Sequence, residues 1–280
     1  MNAAKRPYAL QDLTWTEFAE RTAAGPVPIV LPLGSQEEQG PHAPMGDFVV
    51  AERIALAAAE RAGAICAPVL PFGYAEFFRG IAGGMQLRAD TFRRVLRDMI
   101  DSFTDHGLDH VVIVNGHSTN ASLIADVAHQ VRRGTGVLVP ALHLWRMLPD
   151  SLWRQIHGEN AAAARGHGAD PLTSVTMHMA PELVRPDLIE GSARRSLFGC
   201  PTQPQFGGIV FEDVAVDLPF DAAEVAPNGV GGGDAAYASP EKGEAMTAWL
   251  VDRAARFIDY FRQCDPRDPM AAVLARDRGA

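Results

Sequence analysis

The stretch PIVLPLGSQEEQGPHAPMGDFVVAERIALAAAERAGAICAPV, residues 28–69, reads as strand, loop, helix and strand. Its opening residues 28–33 are a short apolar run that stops at Gly34. Residues 49–62 are rich in alanine, carry apolar side chains at helical spacing, and stop at Gly63. Residues 64–69 form a second apolar run. Outward from this unit the alternation continues. Apolar side chains recur at Phe92, Val95, Leu96, Met99 and Phe103, which predicts a helix over residues 90–106, closed by Gly107. A third strand is expected over residues 110–114, a helix over 120–132 and a fourth strand over 137–142. Strands that are apolar throughout and alternate with helices imply a mostly parallel sheet covered on both faces, a three-layer α/β/α sandwich.

The later part is less regular. Residues 172–179 predict a short helix with Pro181 just beyond, and residues 240–262 a terminal helix. Residues 191–235 are rich in Gly, Pro and Phe and read as long loops with one strand pair at most. Residues 263–280 are polar and are expected to fray or to dock on a neighbour. No repeat or linker divides the chain, so residues 1–280 read as one domain, with a core at 28–262.

Composition narrows the function classes. The chain has 280 residues, 47% apolar and 21% charged, the balance of a globular protein rather than a disordered or fibrous one. A net charge of −9 speaks against nucleic acid and anionic membrane as partners. Cys66, Cys200 and Cys264 are odd in number and widely spaced, which offers no disulfide framework or zinc motif and favours a reducing compartment. The first residues contain no signal-peptide apolar region, and no run of roughly 18 apolar residues occurs, so a cytoplasmic protein is the expectation.

Ligand sites of open α/β sheets lie at the carboxyl ends of the strands. Residues 34–47 follow the first strand, and Asn115-Gly116-His117-Ser118-Thr119-Asn120 follows the third. A further segment, Gly166-His167-Gly168-Ala169-Asp170, precedes the short helix. Glu37, Asp47 and His117 can converge on a divalent cation, and two carboxylates with one imidazole suit zinc, manganese or iron. Each has a plainer reading beside it. Glu37 suits a loop or helix-cap carboxylate, Asp47 the N-cap of the next helix, and His117 a buried histidine bonded to backbone. His143, His157 and His178 read as surface or core histidines, and Trp145, Trp153, Phe77 and Phe78 as core more than substrate clamp.

These segments resemble the creatininase (creatinine amidohydrolase) family. The family opening, Leu-Pro-x-Gly-Ser-x-Glu-Gln-His-Gly-Pro-His-Leu-Pro, is matched by residues 31–44, and its Asn-Gly-His by Asn115-Gly116-His117. Matches continue through His167-Gly168-Ala169, Thr173-Ser174, Pro181-Glu182-Leu183-Val184, Gly229-Val230 to Asp234, and Glu241-Lys242-Gly243. The resemblance implies an α/β/α sandwich, a homo-oligomer (often a hexamer), and hydrolysis of non-peptide C–N bonds in small substrates with two divalent ions. It gives Glu37, Asp47 and His117 to one ion and makes His167 the catalytic proton carrier. His42 recurs in the family opening and is expected to support the site from behind.

The departures concern the second ion. Gln39 stands where the family has a histidine ligand, Thr119 where creatininases have a glutamate, and Leu172 replaces the Glu before Thr-Ser. The run from His42 to Asp47 is one residue shorter than usual. One ion per subunit is therefore expected, with Glu38 and Asp170 as possible compensating groups. Ser118 replaces the aromatic residue that clamps the creatinine ring, so creatinine is not the expected substrate. The resulting expectation is a metal-dependent hydrolase of an amide, formamide or cyclic amide. Two alternatives stand beside it: C–C ring opening of a cyclic ketone such as a keto-inositol, and a non-catalytic binding protein that kept the fold.

Overall fold

A computed structural model of the chain describes residues 7–203 and 207–271. In chain order the elements are α1 (Trp15–Ala23), β1 (Ile29–Leu33), α2 (Phe48–Ala62), β2 (Ile65–Cys66), α3 (Ala89–Thr104), β3 (Val111–Asn115), α4 (Ala121–Thr135), β4 (Ala141–His143), α5 (Asp150–His157), α6 (Ala161–Ala164), α7 (Leu172–Met179), β5 (Gly208–Phe211), β6 (Val214–Asp217), α8 (Ala222–Val225) and α9 (Pro240–Phe261). Strands β1 to β4 form a parallel sheet in the order β2-β1-β3-β4, and β1 pairs with β3 from Ile29↔Val111 to Leu33↔Asn115.

The central strands divide their side chains between two cores with the period of two that a pleated strand imposes. Val30, Cys66, Val112 and Val114 face one side, where they pack with α2, α7 and α9 through residues such as Ile54, Val175, Met246 and Leu250. Ile29, Leu31, Ile65, Val111 and Ile113 face the other, against Phe92, Leu96 and Ile100 of α3 and Ile124 and Val127 of α4. This is the expected three-layer sandwich. A third cluster, Ala75, Phe78, Ala222, Val225 and Ala226, pins the loop after β2 to α8. Strands β5 and β6 form the separate antiparallel pair expected within residues 191–235.

Two strands are shorter than expected, and proline is the reason. The run at 64–69 pairs only at Ile65 and Cys66. Beyond them Pro32 has no N–H to donate, so the ladder fails there. It resumes where Leu70 donates to the Pro32 carbonyl at 3.0 Å and Gly34 to the Leu70 carbonyl at 3.1 Å. The run at 137–142 pairs only from Ala141, after Pro140, although Val137 and Val139 stay buried in the core. Helices α1 and α5 were not anticipated. A reciprocal capping box between Thr14 and Glu17 starts α1.

The tail docks on its own chain. Leu138 donates to the Pro266 carbonyl at 2.8 Å, and the Arg267 Nε lies 2.6 Å from Asp109 Oδ2. Residues 272–280 of that expected tail lie outside the described residues. No described helix is long and apolar enough to cross a membrane.

Candidate metal centre

Three loops meet beyond the carboxyl ends of β1 and β3. Gly34 sets the first. A Cβ there would stand 2.5 Å from Phe48 Cα and 2.7 Å from Asp47 Oδ1, so only glycine lets the loop return this closely to the start of α2. The return brings Asp47 to the N-cap position, yet its side chain does not cap the helix. Its Oδ1 accepts the Ser35 N–H at 2.7 Å, and Oδ2 lies 2.9 Å from His117 Nδ1. Glu37 Oε1 lies 3.2 Å from the same nitrogen. One donor atom from each of Glu37, Asp47 and His117 lies within 4.8 Å of the other two, and all three residues are buried.

The proton on His117 is fixed from behind. Its Nε2 lies 3.1 Å from the Tyr74 carbonyl oxygen, with the Thr119 hydroxyl beside both. A carbonyl can only accept, so Nε2 carries the hydrogen and Nδ1 of the neutral ring presents a lone pair. That lone pair faces two carboxylate oxygens, and Glu37 Oε2 is buried without a hydrogen-bond partner. Such a set of acceptors requires a cation among them, either a proton on Nδ1 or a metal ion. Burial alone would lower the His117 pKa, but the charges of Glu37 and Asp47 outweigh it and hold it well above the ordinary value of 6.5. Burial likewise raises the Glu37 pKa, against the opposing pull of His117. The residues thus fit a divalent ion with nitrogen and oxygen ligands.

Two asparagines tie the loops together. Asn115 donates to the His117 carbonyl at 2.6 Å and accepts the His117 N–H at 3.3 Å. Asn120 donates to the Gly34 carbonyl at 3.2 Å and accepts the Tyr74 N–H at 2.8 Å.

His167 sits across the opening loop, its Nε2 2.9 Å from the Glu38 carbonyl oxygen and 2.8 Å from Glu38 Oε1. Both are acceptors, so this ring also carries its hydrogen on Nε2 and keeps Nδ1 as a base. Burial lowers its pKa, but the Glu38 carboxylate outweighs that and raises it above 6.5. Phe78 packs on the ring with centroids 4.4 Å apart.

The remaining expected residues divide. Glu38 directs one oxygen to His167 and the other to the Gly40 N–H at 2.9 Å. Gln39 donates its amide to Glu37 Oε1 at 3.1 Å. Asp170 borders the same cavity, but its oxygens accept from the Ser174 N–H at 2.8 Å and the Ser174 hydroxyl at 2.6 Å. His42 is buried 3.0 Å from the Thr173 hydroxyl and links the opening loop to α7. Ser118 and Thr119 line the cavity wall.

That cavity has a volume of about 510 Å³. Trp145, Trp153, Phe77 and Phe78, expected mainly as core, all line it, and Trp145 Nε1 donates to the Gly116 carbonyl at 2.5 Å. The sequence reading passed over three further contributors, Tyr74, Arg146 and Arg165. The first acts through a main-chain carbonyl, which has no signal in sequence, and the arginines belong to no motif.

Comparison with known proteins gives a consistent result. A family model described as creatinine amidohydrolase matches residues 11–258. A creatinine amidohydrolase of Pseudomonas putida is 29% identical over 192 residues, 64% of this chain and 74% of that protein. A mycofactocin precursor peptide peptidase of Mycobacterium ulcerans is 26% identical over 234 residues, 80% of this chain and 81% of that protein. A solved creatininase variant of the zinc–zinc type superposes with a TM-score of 0.75 at 26% identity, covering 90% of this chain and 96% of that one.

Proposed function

The chain belongs to the creatininase family, whose members are metal-dependent amidohydrolases; from that premise we propose that it hydrolyses an amide-type bond of a small substrate with one divalent ion held by Glu37, Asp47 and His117. The observation that carries this reading is the convergence of two carboxylates on His117 Nδ1, while Tyr74 holds the ring hydrogen on the far nitrogen. An ion bound there supplies Lewis acidity, which makes water acidic enough to yield a nucleophile near neutral pH.

The protein's own groups do the rest. His167 takes the proton of the attacking water on Nδ1 and returns it to the leaving nitrogen. Glu38, bonded to Nε2, keeps that tautomer and stabilises the ring while it is positively charged. The aromatic walls exclude bulk water from the reacting groups. Zinc and manganese both suit the donor set.

A single ion is supported by the neighbours. Gln39 offers a neutral amide that already donates to Glu37, and both oxygens of Glu38 are engaged. Metal analysis of protein purified without chelator should find about one divalent ion per chain. The His117→Ala variant should lose that ion and its turnover together. Turnover surviving in that variant would remove the assigned ligands from the mechanism.

A further inference from the structure

The lining of the same cavity carries two guanidinium groups that the chemistry above leaves unused. Arg165 stands two residues before His167 on the same loop, and its Cζ lies 4.4 Å above the centre of the Trp153 ring. Trp153 is buried and donates its Nε1–H to the Ala161 carbonyl at 2.7 Å, so the platform beneath the guanidinium is fixed. Among the described residues no acceptor hydrogen-bonds to the Arg165 side chain. Its nearest carboxylate oxygen, on the largely exposed Asp150, is 3.6 Å away. Arg146 lines the same cavity beside Trp145 and has no ion pair or hydrogen bond to a described residue.

A guanidinium held over an aromatic face keeps its N–H groups available, and its planar fork can grip an oxyanion through two parallel bonds. Of the acidic groups lining the cavity, Asp150 is largely exposed and pairs with Arg165 only at 3.6 Å, and the buried ones are committed elsewhere. Glu37 and Asp47 face His117, and Asp170 faces Ser174. We infer that Arg165, assisted by Arg146, forms an oxyanion subsite, and that the substrate is an amide bearing a carboxylate or phosphate-type group away from the scissile bond. This inference rests on the hydrolase reading above and specifies the substrate class of that site.

The test is a calorimetric titration of metal-loaded protein with succinamate and glutaramate, their neutral partners succinamide and glutaramide, and phosphonoacetamide as the phosphate-like arm. At least one anion should bind about tenfold or more tightly than a neutral amide, the worth of one charge-assisted bond. Arg165→Gln should lower that affinity by roughly 10- to 100-fold while leaving neutral binding and metal content unchanged. Arg165→Lys should recover only part, because a point charge lacks the planar fork. Arg146→Gln should show a smaller loss of the same sign, and it supplies the answer if the Arg165 variants do not fold. Preference for the carboxylates or for the phosphonate identifies the group recognised.

The inference is overturned if no anion binds more tightly than the neutral amides, or if both glutamine variants bind anions as the parent does. Anion preference that is lost in Arg165→Gln, with no ammonia released from any of these amides, would uphold the subsite and count against the amide-hydrolase reading alone.

Discussion

In the proposed centre, removing the metal leaves a proton as the counter-charge between Glu37, Asp47 and His117, and that substitution has a measurable pH signature. The folded pKa of His117 lies well above its ordinary 6.5, because the two carboxylates outweigh burial. The stability it contributes is fully present below 6.5 and is lost as pH rises through the folded value. Glu37, whose pKa burial raises, acts with the same sign at lower pH. The melting temperature of chelator-treated protein should therefore fall as pH is raised above 6.5. Added zinc or manganese should remove the slope, with about 2.7 kcal/mol of stabilisation at a hundredfold excess over Kd. A metal-free protein with a flat profile from neutral to alkaline pH would contradict the charge balance drawn for this centre. The convergence of Glu37, Asp47 and His117 was legible in sequence because each sits at a strand end or in the loop that follows one. The Tyr74 carbonyl was not legible, since every residue has a carbonyl and only the fold aims this one at His117.

Strand β1 and helix α2 meet at Gly34, and their separation sets where Asp47 can reach. A methyl group at that position would overlap Phe48 Cα. Gly34→Ala should cost about 1–3 kcal/mol of stability, the usual range for overpacking. It should also weaken metal binding, because Asp47 would be pushed away from His117. Unaltered metal affinity in a folded Gly34→Ala protein would show that the loop yields without moving the carboxylate. At this scale the sequence was read best where one force dominated. Central strands rich in Ile and Val are buried on both faces, and the alanine-rich run at 49–62 has no rival to the helix. It was read less well where a missing N–H ended a ladder, as at Pro32 and Pro140. Helix α1 escaped because it is short and has no buried residue, so its clearest signal is the Thr14–Glu17 cap.

Across the molecule, the last described segment docks where the chain enters β3 and β4. The Pro266 carbonyl takes the Leu138 N–H, the Cys264 carbonyl lies 3.0 Å from His110 Nε2, and Arg267 reaches Asp109. Truncation after Arg262 removes these bonds and should lower the melting temperature, measured by thermal unfolding. A truncated protein that melts with the parent would make the tail dispensable. The composition already placed this segment at the surface, but its landing place depends on β4, whose extent the sequence reading overstated. The convergence of Arg146 and Arg165 on one cavity was equally hidden, because it arises only when the loop before α7 folds over the segment after β4.

Tyr74 joins the centre through its peptide groups, its N–H on Asn120 and its carbonyl on His117, while its ring borders a neighbouring hollow of about 470 Å³. An exchange of side chain at position 74 leaves the imidazole's hydrogen where it is. Descendants of this chain can thus alter what a passing molecule meets in that hollow without detuning the imidazole behind it.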